Sequence, residues 1–407
     1  MTVIDLDSTN DATVYDPLAR IIARARPVLD ELAATAAARE LGRQLPIDLV
    51  RQLTGTGIGA LRIPREYGGA GLSLRELFDV IIEVSAADSN VGQALRAHFA
   101  TVEALLASGD HTQRERWFPR IVAGAIVGNA YSERGTATLR TVQTTLRRDG
   151  DRLVLRGEKF YSTGTLYADL VSTAARTENE TTAIILVPVD RDGVHLRDDW
   201  DGFGQRLSAS GSTRFEDVVV TEDEILDHDW ENSPTNHLVG FFQLYLAAVL
   251  AGIARNVGTD AVTLVRGRSR TYGHASAETP SQDPLVQQVI GDISAAAFAA
   301  ETLVLAGADA LDRAYATSAS GTPDPDVHDQ AALTVARAQV TVARLTLNAS
   351  EALFNAGSAS ATDRSRDLDR HWRNARTLAS HNPLIYKTRI IGDHVLNGGP
   401  LPRTGFL

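Results

Sequence analysis

The chain contains no cysteine and one methionine in 407 residues. Without thiols there is no disulfide, no thiolate nucleophile, no cysteine-ligated zinc and no iron–sulfur cluster. An excess of positive charge is also missing: 40 Lys and Arg stand against 51 Asp and Glu, a net charge of -11, which disfavours a protein that tracks nucleic-acid phosphates. No stretch reaches the uninterrupted apolar length that a membrane span needs. Met1 to Asn10 is polar and lacks the basic start and apolar run of a signal peptide. The ten histidines show no His-Glu-x-x-His or similar ligand spacing, and neither a Gly-Lys-Ser/Thr phosphate loop nor a Gly-x-Ser-x-Gly elbow occurs. These absences predict a cytoplasmic enzyme with no metal, no membrane and no nucleic-acid partner.

What is present reads as helical, then strand-rich, then helical. Leu18, Ile21, Ile22, Ala25, Val28, Leu29 and Leu32 fall on one helix face, with Pro27 expected to kink or divide it. Ile47–Leu53, Leu74–Ala87, Val91–Ala107 and Arg114–Ala123 continue the helical character. Gly55-Thr-Gly-Ile-Gly59 follows a helix rather than a strand, so it ends that helix and is no dinucleotide loop. Past Gly128 the pattern changes. Thr141–Arg148 and Arg152–Arg156 flank an Asp-Gly turn as a hairpin, and Thr182–Val189 and Ser212–Val220 are β-rich. After Pro234 helices return over Leu238–Asn256, Pro284–Ala316 and the segment carrying Leu333, Val340, Leu347 and Phe354, which repeat every seven residues. Ala336, Ala343 and Ser350 fall three further along each time. Thr317–His328 reads as a loop. The division expected is a helical domain over 1–127, a β domain over 128–234 and a helical bundle over 235–407.

Several segments resemble the acyl-CoA dehydrogenase superfamily. They are Leu61-Arg-Ile-Pro-Arg-Glu-Tyr-Gly-Gly-Ala-Gly-Leu72, Ala130-Tyr-Ser-Glu-Arg-Gly135 and Gly157-Glu-Lys-Phe-Tyr-Ser-Thr-Gly164. Asp199-Trp-Asp-Gly-Phe-Gly-Gln-Arg-Leu-Ser-Ala-Ser-Gly-Ser212, Leu368-Asp-Arg-His-Trp-Arg-Asn-Ala-Arg-Thr-Leu-Ala-Ser-His-Asn-Pro383 and Val395-Leu-Asn-Gly398 are similar to one branch, the sulfur-acquisition and dibenzothiophene monooxygenases. The resemblance implies an α+β fold: an N-terminal helical domain, a small central β-barrel domain and a C-terminal four-helix bundle. It also implies a homotetramer.

A carboxylate base over the flavin is what thioester oxidation requires. No acidic residue lies between Asp369 and Asp393, or between Asn236 and Thr259. The resemblance therefore implies a monooxygenase that receives reduced FMN from a separate flavin reductase, FAD being the alternative cofactor. It would oxidise a small organosulfur or other heteroatom substrate with dioxygen, through a flavin C4a-hydroperoxide. A dehydrogenase with a displaced base and a non-redox binding relative stay open at this point. By the same resemblance His381, His98 and Ser162 are the expected catalytic residues. Asn129, Ser132, Tyr161, Ser162 and Thr163 would face the flavin ring, with Arg268, Arg270 and Arg376 for its phosphate. Gln205, Ser210, Ser212 and Asn382 would line the substrate pocket. The chain departs from the pattern in lacking an arginine in Ala356-Gly-Ser-Ala-Ser360 and in carrying Leu378 where relatives often have a second histidine.

Overall fold

The computed structural model describes residues 16–136, 138, 141–226 and 237–401. Met1 to Asn10 and Pro234, on which two of the expectations above fall, lie outside the described residues.

Six helices open the fold: α1 Pro17–Gly42, α2 Ile47–Gly55, α3 Leu74–Ala87, α4 Ser89–Ala94, α5 Arg96–Ser108 and α6 His111–Val122. α1 runs unbroken through Pro27. Burial of Ala25, Leu29 and Leu32 on one face outweighs the lost hydrogen bond, so the expected division does not occur. The expected single helix over 91–107 is two, parted at Leu95. Asp88 starts the first by accepting from the Asn90 amide at 2.9 Å.

The middle of the chain forms one mixed sheet of eight strands: β1 Val127–Ala130, β2 Thr145–Asp149, β3 Arg152–Lys159, β4 Leu170–Arg176, β5 Thr182–Pro188, β6 Val194–Arg197, β7 Ser212–Val220 and β8 Ile225–Leu226. Their order is β6-β7-β3-β2-β4-β5-β8, with β1 pairing β4 in parallel. β2 and β3 pair antiparallel, with Asp149 opposite Arg152, across the Asp-Gly turn read from the sequence.

Three long helices follow, α7 Leu238–Arg266, α8 Pro284–Ala319 and α9 Pro325–Gly357, then α10 Arg370–Ala379 and α11 Leu384–Asn397. α8 and α9 extend into the predicted loop, since Asp324 caps α9 before Pro325. α9 buries Leu333, Val340, Ala343 and Ser350 of the expected heptad rows, while Ala336, Leu347 and Phe354 are half-buried. The buried stripe also takes in Ala331, Val335, Ala338, Val342, Thr346, Ala349 and Leu353. A 3.6-residue helix among several neighbours buries a wider stripe than a strict seven-residue seam.

One exclusion needs correction: α7 and α8 are both long and apolar enough, by length and composition, to cross a membrane. For α7 the protein itself accounts for this, because 78% of its most apolar window is buried inside the fold. In α8 the corresponding share is 17%.

Candidate active site

α4 joins the sheet to the bundle. All six of its residues are buried. The Gln205 amide donates to Ser89 Oγ at 3.2 Å, and the Leu207 amide donates to Asn90 Oδ1 at 3.0 Å. Tyr245 of α7 donates to the Gly92 carbonyl at 2.8 Å. Gly164 packs so closely that a Cβ there would lie 2.3 Å from the Ala94 carbonyl oxygen, and its φ of 81° is one that only glycine adopts freely. Immediately beyond, the first residue of α5 is Arg96, whose Nη1 is 3.4 Å from His381 Nε2.

On the sheet side, Tyr161 to Thr163 leave β3 in a tight turn, with Tyr161 at φ 59°. Thr163 and Ser210 share a hydrogen bond of 2.9 Å, Ser210 and Ser208 another of 2.8 Å. The Asn129 amide donates to the Thr163 carbonyl, and the Phe160 amide to that of Ser132, so both predicted edges meet this turn through backbone. Ser212 is committed elsewhere: its hydroxyl and amide both donate to Asp199 at 2.7 Å. Gln205 and Ala209 adopt left-handed backbone at φ 52° and 51°, conformations held only by surrounding contacts. Asn374 of α10 supplies one, accepting from the Gln205 amide.

The two histidines differ. His98 is fully buried, with Nε2 donating to the Gly59 carbonyl at 2.8 Å and Nδ1 accepting from the Val127 amide at 3.3 Å. Burial lowers its pKa, and both nitrogens are occupied, so it pins α5 to β1 as a neutral ring. His381 lies in the turn between α10 and α11, with Nδ1 3.3 Å from Asn382 Oδ1. Asn382 in turn donates to Gln243 at 2.6 Å. Crowding by protein around the ring, then the Arg96 guanidinium, push His381 down to about 4. The residue keeps an exposed rim, which softens that shift, but the imidazole is neutral at neutral pH. Arg96 itself is lowered to about 10 by burial and stays charged.

The cations expected for a phosphate are placed unevenly. Arg268 lies past the end of α7 and spends Nη1 on the Ala356 carbonyl at 2.6 Å, tying down the loop that lacks the family's arginine. Arg270 and Arg376 are exposed.

Sequence reasoning missed Gln93, Arg96 and Lys387. Gln93 Oε1 and Arg96 Nε are buried without a hydrogen-bond partner, as are Ser162 Oγ and Gln205 Oε1. These four orphaned groups lie on α4, on α5 and on the two loops that pack against α4. Orphans are costly unless a ligand completes them. Unmatched hydrogen-bonding groups beside the exposed Tyr161 ring and the Trp200 indole, 5.9 Å apart, fit a flat heteroaromatic cofactor such as a flavin. No signal marked Gln93 or Arg96 in the sequence, because α4 reads as the middle of a longer helix.

The models for the acyl-CoA dehydrogenase N-terminal, middle and C-terminal domains match residues 20–125, 129–218 and 244–384. The chain belongs to the acyl-CoA dehydrogenase family. Within that family it is 29% identical to the dibenzothiophene monooxygenase of Rhodococcus erythropolis, over 96% of both chains. It is 28% identical to a probable FMNH2-dependent monooxygenase, SfnC, of Pseudomonas putida, over 95% of this chain and 97% of the other. The solved complex of TdsC from Paenibacillus sp. A11-2 with FMN and indole superposes with a TM-score of 0.88, at 28% identity, covering 95% of this chain and all of the other. The chain falls in the sulfur-monooxygenase branch of the acyl-CoA dehydrogenase family.

Proposed function

We propose that the chain is a reduced-FMN-dependent monooxygenase that oxygenates a small organosulfur substrate. Its relatives in this branch carry that activity in their names, and a structural neighbour binds FMN. The observation in this chain that carries the reading is the missing base. The first acidic residue beyond the acid-free start of α7 is Asp260, and it is bound to His371 at 2.8 Å and Arg370 at 2.6 Å. Among the described residues no free carboxylate stands there to remove a proton from a thioester in the way a dehydrogenase needs.

Reduced FMN supplies the electrons with which dioxygen gives one oxygen atom to the substrate and the other to water. Ser162, Thr163, Ser210 and Gln205 would hold the ring edge, and Tyr161 and Trp200 would flank it. Asn129 and Ser132 support the turn through backbone. Arg270 and Arg376 are the cations open to a phosphate. His381, neutral and held by Asn382, can take or return a proton at Nε2, with Arg96 donating to the same point. Asn382 acts through His381, and His98 positions α5 rather than moving protons.

A flavin reductase partner follows from the need for reduced flavin in a chain without a dinucleotide loop. We also propose a cytoplasmic homotetramer. Leu285 and Phe298 on α8, and Ile385, Val395 and Leu396 on α11, are largely exposed, and apolar rows of this kind call for a covering surface. The test is single-turnover oxidation with ¹⁸O₂ of protein loaded with reduced FMN, over a panel of thioethers, sulfoxides and sulfinates. One labelled oxygen in the product is expected. Complete recovery of the electrons as hydrogen peroxide across the panel, with flavin bleaching by acyl-CoA thioesters instead, would overturn the reading.

A further inference from the structure

Among the described residues five lysines and arginines are buried: Arg39, Arg62, Lys159, Arg370 and Lys387. Four are matched to a carboxylate within hydrogen-bond distance. Arg39 meets Asp88 at 2.6 Å, Arg62 meets Glu103 at 2.7 Å, Lys159 meets Glu133 at 2.6 Å and Arg370 meets Asp260 at 2.6 Å. That is how a fold ordinarily accommodates a cation out of water. Lys387 has no such partner. It is also the single buried residue of α11, a helix that leaves Ile385 and Tyr386 in solvent. An amphipathic helix does the opposite, burying apolar side chains and exposing lysine. Propensity and hydrophobicity do not account for this inversion.

Lys387 lies in the first turn of α11, six residues beyond His381, whose Nε2 is 3.4 Å from Arg96 Nη1. Among the described residues no carboxylate forms a salt bridge with Arg96, His381 or Lys387. Arg96 lies over the Phe242 ring at 5.5 Å, a face that supports a cation without neutralising it. Burial alone pushes the Lys387 ammonium down to about 8, the direction expected of an amine awaiting an anion.

We infer that Arg96 and Lys387, together with the turn that carries His381, form a recognition site for an anionic oxygen head on the substrate, so that the substrate is an organosulfur oxyanion rather than a neutral sulfide. This rests on the monooxygenase reading for the sulfur, and on the uncompensated charge for the anion. An oxyanion would supply the acceptors that the two side chains lack, in charge-assisted hydrogen bonds. It would also hold the sulfur beside the imidazole.

Binding without turnover tests it. Protein loaded with oxidised FMN would be titrated calorimetrically with benzenesulfinate and with methyl phenyl sulfone, an uncharged compound of similar size. The wild type is expected to prefer the sulfinate by about tenfold or more. Lys387→Met and Arg96→Met should each weaken the sulfinate about tenfold while moving the sulfone less than about threefold, and Arg96→Lys should recover part of the loss. Equal affinity of the wild type for both probes would overturn the inference. So would an unchanged preference in both variants together with weaker FMN, but not riboflavin, binding, which would give the cations to the flavin phosphate. No oxygen transfer enters these measurements. A protein that prefers sulfinate yet incorporates no ¹⁸O would overturn the monooxygenase reading alone. One that oxygenates sulfides without preferring the anion would overturn the anion site alone.

Discussion

Helix α5 carries a charged cluster near each end, and the two are built on opposite rules. Toward its C-terminus Glu103 is fully buried, receiving Arg62 at 2.7 Å and His237 at 3.1 Å. Against the opposing effect of burial, the Arg62 charge and the hydrogen bond to His237 hold its carboxyl at about 2. Tyr315 closes the cluster, with the Arg62 guanidinium over its ring at 5.1 Å and His237 edge-on at 5.0 Å. At its N-terminus Arg96 meets His381, with the buried Lys387 in the first turn of the helix that follows, and among the described residues no carboxylate is bound to any of the three. A closed cluster ties α5 to α7 and α8 and has nothing left to offer a ligand. An open one leaves charge unspent, which destabilises the empty fold and favours whatever anion arrives.

The contrast can be broken from either side. Glu103→Gln should open the closed cluster, leaving Arg62 buried without a counter-charge. The expected cost is about 3–5 kcal/mol of stability, visible as a large drop in the urea midpoint. His381→Ala should leave the fold intact and uncouple the reaction. Product formed per reduced FMN consumed should fall about a hundredfold, roughly 2.7 kcal/mol in rate terms, with hydrogen peroxide making up the balance. Unchanged product yield would remove His381 from the chemistry. Asn382→Asp should close the open cluster by setting a carboxylate against the imidazole. NMR titration should then show the His381 pKa rise by about one unit or more, while thermal stability changes little. His98→Gln should cost about 1–2 kcal/mol through the lost bond to Gly59 without altering the coupling ratio. The last effect is one of pH and belongs to His371, which burial and then Arg370 lower to about 4 while Asp260 stays near 2. A histidine depressed in the folded state stabilises fully above its unfolded pKa near 6.5 and loses that contribution as pH falls through 4. Unfolding midpoints measured from pH 7 to pH 4 should decline, and less steeply in His371→Asn.

The same two clusters show what a sequence discloses. Periodicity located most helices and the main hairpin, because burial on one face leaves a mark every 3.6 or two residues. The division it allowed at Pro27 does not occur, since the packing of Ala25 and Leu29 that sustains the helix comes from elsewhere in the chain. It missed the break at Leu95, where α4 is buried on every side and has no polar face to mark a period. His381 and Ser162 stood out through a resemblance between long motifs. Arg96 and Lys387 did not, since an arginine and a lysine in helices ordinarily denote solvent. Their meaning depends on the carboxylates that are not beside them, which only the assembled fold reveals. His98 drew attention for the opposite reason: its residue type suggests chemistry, whereas its two backbone partners make it a rivet.

α4 has no outer face, and that constrains how this enzyme can diversify. Its six residues are all buried, and Ser89, Asn90, Gly92 and Ala94 between them meet the Gln205–Leu207 loop, the bundle and the turn at Gly164. A substitution there would have to satisfy several neighbours in one step. On the anion-site proposal, variation in substrate range is channelled to Arg96, where the chain regains an open side, and to Lys387 of α11. A library built for new sulfur substrates should hold 89–94 and His381 fixed and randomise Arg96 and Lys387 together.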